Sequence, residues 1–131
     1  MPTERMPSPT ALIPEAGAAL TAIGVAVAGV GLGDRLLELN RRRVAALNGC
    51  GPEDRRPHTS DEERAALALT EAVTVLGADP VPDEVWDRAA KHFDHRELAA
   101  LLLTAALANA VTRLDIATRR NIATRRNGAT S

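Results

Sequence analysis

Asp34-Arg35-Leu36-Leu37-Glu38-Leu39-Asn40-Arg41-Arg42-Arg43-Val44-Ala45-Ala46-Leu47-Asn48-Gly49-Cys50 is the stretch on which the fold turns. Asp34 stands where a helix cap is expected, because a short carboxylate ahead of a periodic apolar run accepts from the amides of the first turn. Leu36, Leu37, Leu39, Val44 and Leu47 then form an apolar stripe at helical spacing, with Arg41, Arg42 and Arg43 mostly off it. Asn48-Gly49 ends the run, since glycine adopts the left-handed conformation that closes a helix C-terminus. One face of this helix must be buried, so the neighbouring segments have to supply the cover.

On its N-terminal side, Ala16 to Gly33 is uncharged for 18 residues, which reaches the usual length of a membrane span. Its apolar content is mostly Ala and Gly, including Gly17, Gly24, Gly29, Gly31 and Gly33. It lacks the Leu, Ile and Phe density and the interfacial Trp or Tyr of a span. The run therefore reads as a helix of a soluble protein, from Glu15 towards Val30, stopped by its last glycines. Glu4 and Arg5 cancel and Glu15 edges the apolar run, which argues against a secretory signal. Residues 1–11 show no periodicity and read as a disordered lead-in.

On the C-terminal side, residues 50–59 carry Gly51, Pro52, Pro57 and four charges, a loop composition. Ser60 with Glu63 forms a capping box, and the helix it opens presents Leu69, Val73 and Leu76 before Gly77 stops it. Pro82 opens a short helix through Trp86 to about His92. Asp94 with Glu97 repeats the capping box ahead of a long helix carrying Leu98, Leu101, Leu102, Ala105, Leu107, Val111 and Leu114. Ile116 to Asn121 is duplicated as Ile122 to Asn127. At about 100° per residue the copies face directions about 120° apart, so only the first can extend the stripe. The last helix is expected to hold to about Arg120, with residues 121–131 a frayed tail. Nothing alternates as a strand does, so the fold class is all-α, a compact domain of about five helices over residues 12–120.

Composition narrows the functional classes. The 131 residues are 45% apolar and 2% aromatic, with a formal net charge of −1. One Trp, one Phe and no Tyr leave little to stack on bases, sugars or a flat cofactor. Arginine clusters at 41–43, 55–56, 119–120 and 125–126 are balanced by acidic runs such as Asp61-Glu62-Glu63, against a nucleic-acid partner. His92 and His95 flank Asp94, which is expected to break the helix between them, so they read as surface histidines rather than metal ligands. One cysteine, Cys50, excludes an internal disulfide and a multi-thiolate metal site and fits a reducing cytoplasm. No cofactor, metal or membrane is expected. The apolar faces of 16–33 and 98–114 exceed what so few helices bury, so a homo-oligomer is.

Arg35-Leu36-Leu37-Glu38-Leu39, Arg43-Val44, Leu47-Asn48-Gly49-Cys50, Glu63-Arg64-Ala65-Ala66-Leu67-Ala68, Thr70-Glu71-Ala72, Val81-Pro82-Asp83-Glu84-Val85, His92-Phe93, Ala108-Asn109-Ala110 and Arg113-Leu114 follow one another in a telling order and spacing. With them the chain resembles the carboxymuconolactone decarboxylase superfamily, in its alkyl hydroperoxidase D-like branch, from Leu12 to Arg119. The resemblance implies a small all-helical oligomer. It implies peroxiredoxin-like, antioxidant reduction of hydroperoxides by a Cys-x-x-Cys-x-x-x-His helix, with a Glu on the preceding helix and a dithiol as reductant. On that pattern Cys50 matches the first cysteine and Glu38, twelve residues earlier, the assisting Glu. The second cysteine falls on Glu53 and the histidine on Pro57, with His58 one residue off register. A whole family helix is missing between Cys50 and Ser60.

A two-electron peroxide reductase uses one thiolate to attack the O–O bond and a second thiol to resolve the sulfenic acid. In the family the second cysteine usually meets the peroxide, so Cys50 retains the resolving half. Cys50 also follows a helix end, where carbonyls rather than amide donors face it, although Arg55 and Arg56 stand nearby in sequence. Two readings follow: a peroxiredoxin-like thiol enzyme that is impaired, or a non-catalytic helical oligomer that keeps the family scaffold. Read without the family, Cys50 is a small residue after a helix stop and Glu38 a solvated partner of nearby arginines.

Overall fold

The computed structural model describes residues 3–51 and 59–120, and among these there are six helices and no strand: α1 (Pro9–Leu12), α2 (Pro14–Ala28), α3 (Asp34–Leu47), α4 (Asp61–Thr74), α5 (Asp83–His92) and α6 (His95–Thr118). The all-α expectation holds, with one helix more than the pattern gave. The extra one is α1, a single turn with Pro at its start, which begins inside the stretch read as a disordered lead-in and ends one residue past it. That stretch is also tied down. The Arg5 amide donates to the Thr118 carbonyl at 2.8 Å, its guanidinium to the Ala117 carbonyl at 3.2 Å, and Arg120 pairs with Glu4 at 2.7 Å. These contacts occupy carbonyls that the end of α6 would otherwise leave to water.

α6 is the axis of the domain, packed against α2, α3, α4 and α5, while α3 packs on α4 and α4 on α5. Both capping boxes form as the sequence indicates, Ser60 with Glu63 on α4 and Asp94 with Glu97 on α6. The Ser60 amide, followed by the Arg35 guanidinium at 2.8 Å, holds the Glu63 carboxyl below the usual carboxylate range. Two corrections concern helix ends. Asp34 is the first residue of α3 rather than its cap, and Gly33 occupies the cap with φ of 93°, a conformation glycine takes without strain. α4 ends at Thr74 rather than near Gly77, which leaves Val75 and Leu76 exposed.

Two groups of buried side chains form the core. The larger joins Leu36, Ala66, Leu69, Ala89, Phe93, Leu98 and Leu101 across α3 to α6, and the smaller joins Val27, Leu37 and Ala100. Of the two groups α2 contributes only to the smaller, with Val27 the one buried residue among its 15. Its inner stripe is small, and Gly24 sits opposite Leu107 of α6. The uncharged run weighed as a span is not one long helix. α2 stops at Ala28, about 22 Å long at 1.5 Å per residue, short of a bilayer core of about 30 Å. α6 is long and apolar enough to cross a membrane by length and composition, but here it is the helix on which the others pack.

Candidate thiol site

Cys50 is positioned by the way α3 ends. Asn48 closes the helix and Gly49 takes a φ of 73°. The Gly49 amide donates to the Ala46 carbonyl at 3.0 Å and the Cys50 amide to the Ala45 carbonyl at 2.8 Å. This pair of bonds is a Schellman closure. It seats a half-buried Cys50 at the carbonyl end of α3, where the thiol donates to the Asn48 carbonyl at 3.7 Å. A peroxidatic sulfur is instead served by amide donors or cations that stabilise its thiolate.

Glu38 is at the other end of α3, half-exposed. Arg41 Nη1 donates to its Oε2 and Arg42 Nε to its Oε1, each at 3.1 Å. Leu47 comes nine residues after Glu38, about 13 Å along the axis, and Cys50 is farther on. The fold therefore does not bring these two candidate residues together within one subunit. His58, Glu53 and Pro57 lie outside the described residues. His92 closes α5 and His95 opens α6, both exposed, with Asp94 capping α6 between them. Among the described residues no group of three or more His, Cys, Asp or Glu could hold a metal ion.

Sequence reasoning passed over a polar seam that runs from the core to the thiol. On buried Asn40, Oδ1 accepts from Thr70 Oγ1 at 3.0 Å, while Nδ2 has no partner. Thr74 Oγ1 donates to the Thr70 carbonyl at 2.7 Å and accepts from Asn109 Nδ2 at 3.2 Å. Asn109 Oδ1 accepts from Asn48 Nδ2 at 3.0 Å, and Asn48 Nδ2 also reaches Thr112 Oγ1 at 3.2 Å. The seam pins the end of α3 to α6 at Asn48, the residue whose carbonyl takes the Cys50 thiol. One signal was available: Asn40 lies four residues after Leu36 and four before Val44, on the buried face.

A relative from Bacillus subtilis (strain 168), the uncharacterized protein YdfG, is 30% identical over 104 residues, a match taking in 61% of this chain and 71% of the relative. The chain belongs to the YdfG family. Since 61% of 131 residues is fewer than 104, part of the match sets residues of YdfG opposite gaps in this chain. A crystal structure from Agrobacterium tumefaciens, of a protein of unknown function described as a candidate antioxidant defence protein AhpD, superposes with a TM-score of 0.77 at 23% identity. It covers 89% of this chain and 96% of its own. The YdfG-family chain thus has the alkyl hydroperoxidase D-like fold that its sequence resembles. No family model matches it.

Proposed function

We propose that this chain is a cytoplasmic alkyl hydroperoxidase D-like protein with impaired peroxiredoxin-type chemistry, in which Cys50 is oxidised about once per chain instead of cycling. The placement of Cys50 carries this reading: it sits at the carbonyl end of α3, its thiol donating to Asn48, while Glu38 is held by two arginines at the far end. In the single step, the Cys50 thiolate attacks the terminal peroxide oxygen and the O–O bond breaks. The released alkoxide takes a proton and leaves as the alcohol, and Cys50 becomes a sulfenic acid. A thiol from outside the chain must then resolve it: Cys50 of a second copy, giving a disulfide and water, or an added dithiol. A dithiol can restore the thiol, but Glu38, the assisting carboxylate of the family pattern, is held by Arg41 and Arg42 away from the sulfur.

The test is cumene hydroperoxide consumption without added thiol, with dimedone trapping of the sulfenic acid, and again with excess dithiothreitol, each beside Cys50→Ser. Without thiol, about one equivalent should be consumed per chain above the Cys50→Ser background, with a dimedone adduct on Cys50; with dithiothreitol, consumption should be no faster than free cysteine gives. Consumption with dithiothreitol much faster than free cysteine gives, and abolished by Cys50→Ser, would overturn the reading. A second reading, a self-associating non-catalytic scaffold, is favoured by α2, where Ile23 and Val25 are exposed on opposite flanks of a helix uncharged beyond Glu15. Light scattering at micromolar concentration should then show an oligomer that Val25→Glu reduces to monomer, and a wild-type monomer would exclude it.

A further inference from the structure

α2 does not close completely over α6. Gly24 and Val27 of α2 and Leu107, Ala108 and Val111 of α6 line a cleft of about 260 Å³. The gap has a local cause, because a Cβ built on Gly24 would meet only Leu107 Cδ2, at 3.9 Å. Thr104 and Thr112 complete the α6 wall, but their hydroxyls are spent on the Ala100 and Ala108 carbonyls at 2.7 and 3.0 Å. The cleft therefore presents an aliphatic surface with one charged residue in its lining, Arg41 of α3.

Arg41 has donors to spare. It gives Nη1 to Glu38 Oε2, whereas Arg42 holds the other carboxylate oxygen of Glu38, and a guanidinium carries five N–H groups. A second carboxylate can engage Arg41 while Glu38 stays paired with Arg42. Independently of the thiol chemistry, we infer that this cleft binds a medium-chain aliphatic monocarboxylate, tail between α2 and α6 and headgroup on Arg41. The cleft has room for a medium-length tail, and its open side lets the headgroup stay in water. No aromatic side chain lines the cleft, so nothing there favours a flat ring over an alkyl chain.

The probe is octanoate, titrated by calorimetry at pH 8 with octan-1-ol as the neutral control of equal tail length. Wild type, Arg41→Gln and Gly24→Leu are compared, with methyl NMR following Val27, Leu107 and Val111. Octanoate should saturate at one per chain and shift those methyls. Arg41→Gln should weaken octanoate about fivefold, modest because Arg41 is half-exposed, and leave octanol unchanged. Gly24→Leu should abolish both while circular dichroism stays native, since leucine favours helix over glycine. Equal binding of octanoate and octanol, or octanoate binding unaffected by either substitution, would overturn the assignment. So would absence of octanoate binding together with a smaller particle for Gly24→Leu by light scattering, which would give the cleft to a second copy of the chain.

Discussion

Val27→Ala tests how α2 is held. Val27 is 5% exposed and packs with Leu37 and Ala100. The substitution removes two methyl groups, at about 0.8 kcal/mol each, and leaves a void that buried Leu37 and Ala100 can only partly fill. The loss comes to about 2 kcal/mol. The larger group, Leu36 through Leu101, shares no fully buried residue with this one and meets it at half-buried Leu32, so most of the loss should stay in α2. With a factor of ten for every 1.4 kcal/mol, exchange in α2 should speed up about 30-fold. Native-state hydrogen exchange by mass spectrometry reads this directly, comparing peptides from Pro14–Ala28 with those from Asp61–Thr74 and Asp83–His92. Equal loss of protection in all three helices would refute the separation of the two groups. Unchanged α2 exchange would refute the claim that Val27 secures it.

Thr70→Val removes the partner of Oδ1 on buried Asn40, whose Nδ2 already lacks one, and should cost about 1–3 kcal/mol in urea unfolding, most of it recovered in the Asn40→Leu/Thr70→Val double variant; additive losses would contradict this. Because Glu63 has its carboxyl held low in the fold, its contribution is present above its unfolded value near 4.5 and lost as the pH falls through the lower folded value. The melting temperature gap between wild type and Glu63→Gln should therefore exist at pH 7 and close below 4.5. Gly49→Ala places a side chain at a φ of 73° and should cost about 1 kcal/mol, with faster labelling of Cys50 by a disulfide reagent as the Schellman closure loosens.

The elements legible in the sequence are those set by neighbours in sequence. Ser60 and Glu63, or Asp94 and Glu97, need only three residues of separation to start a helix, and Asn48-Gly49 needs nothing distant to end one. The end of α4 is not legible in the sequence because Val75 and Leu76 continue the apolar pattern while the backbone has already left the helix, Val75 adopting φ of −109° and ψ of 93°. At the thiol, the position of Cys50 after a helix stop was readable, and the seam beside it was not. Its bonds join residues 30, 35 and 61 apart, and Asn or Thr at a buried position looks like any surface residue in an apolar/polar pattern.

The pairing of α2 with α6 also bears on how the chain is made. Val27 precedes Leu107 by 80 residues, so at about 5–20 residues per second the ribosome needs about 4–16 s after Val27 before the partner surface exists. Through that interval a run without charge from Ala16 to Gly33 can rest on α1 and on Leu37 of α3 but not on α6. Its alanines and glycines, which make a weak core, also make a weak site for misassembly. The composition that leaves α2 loosely docked in the finished fold therefore limits aggregation while the nascent chain waits for α6.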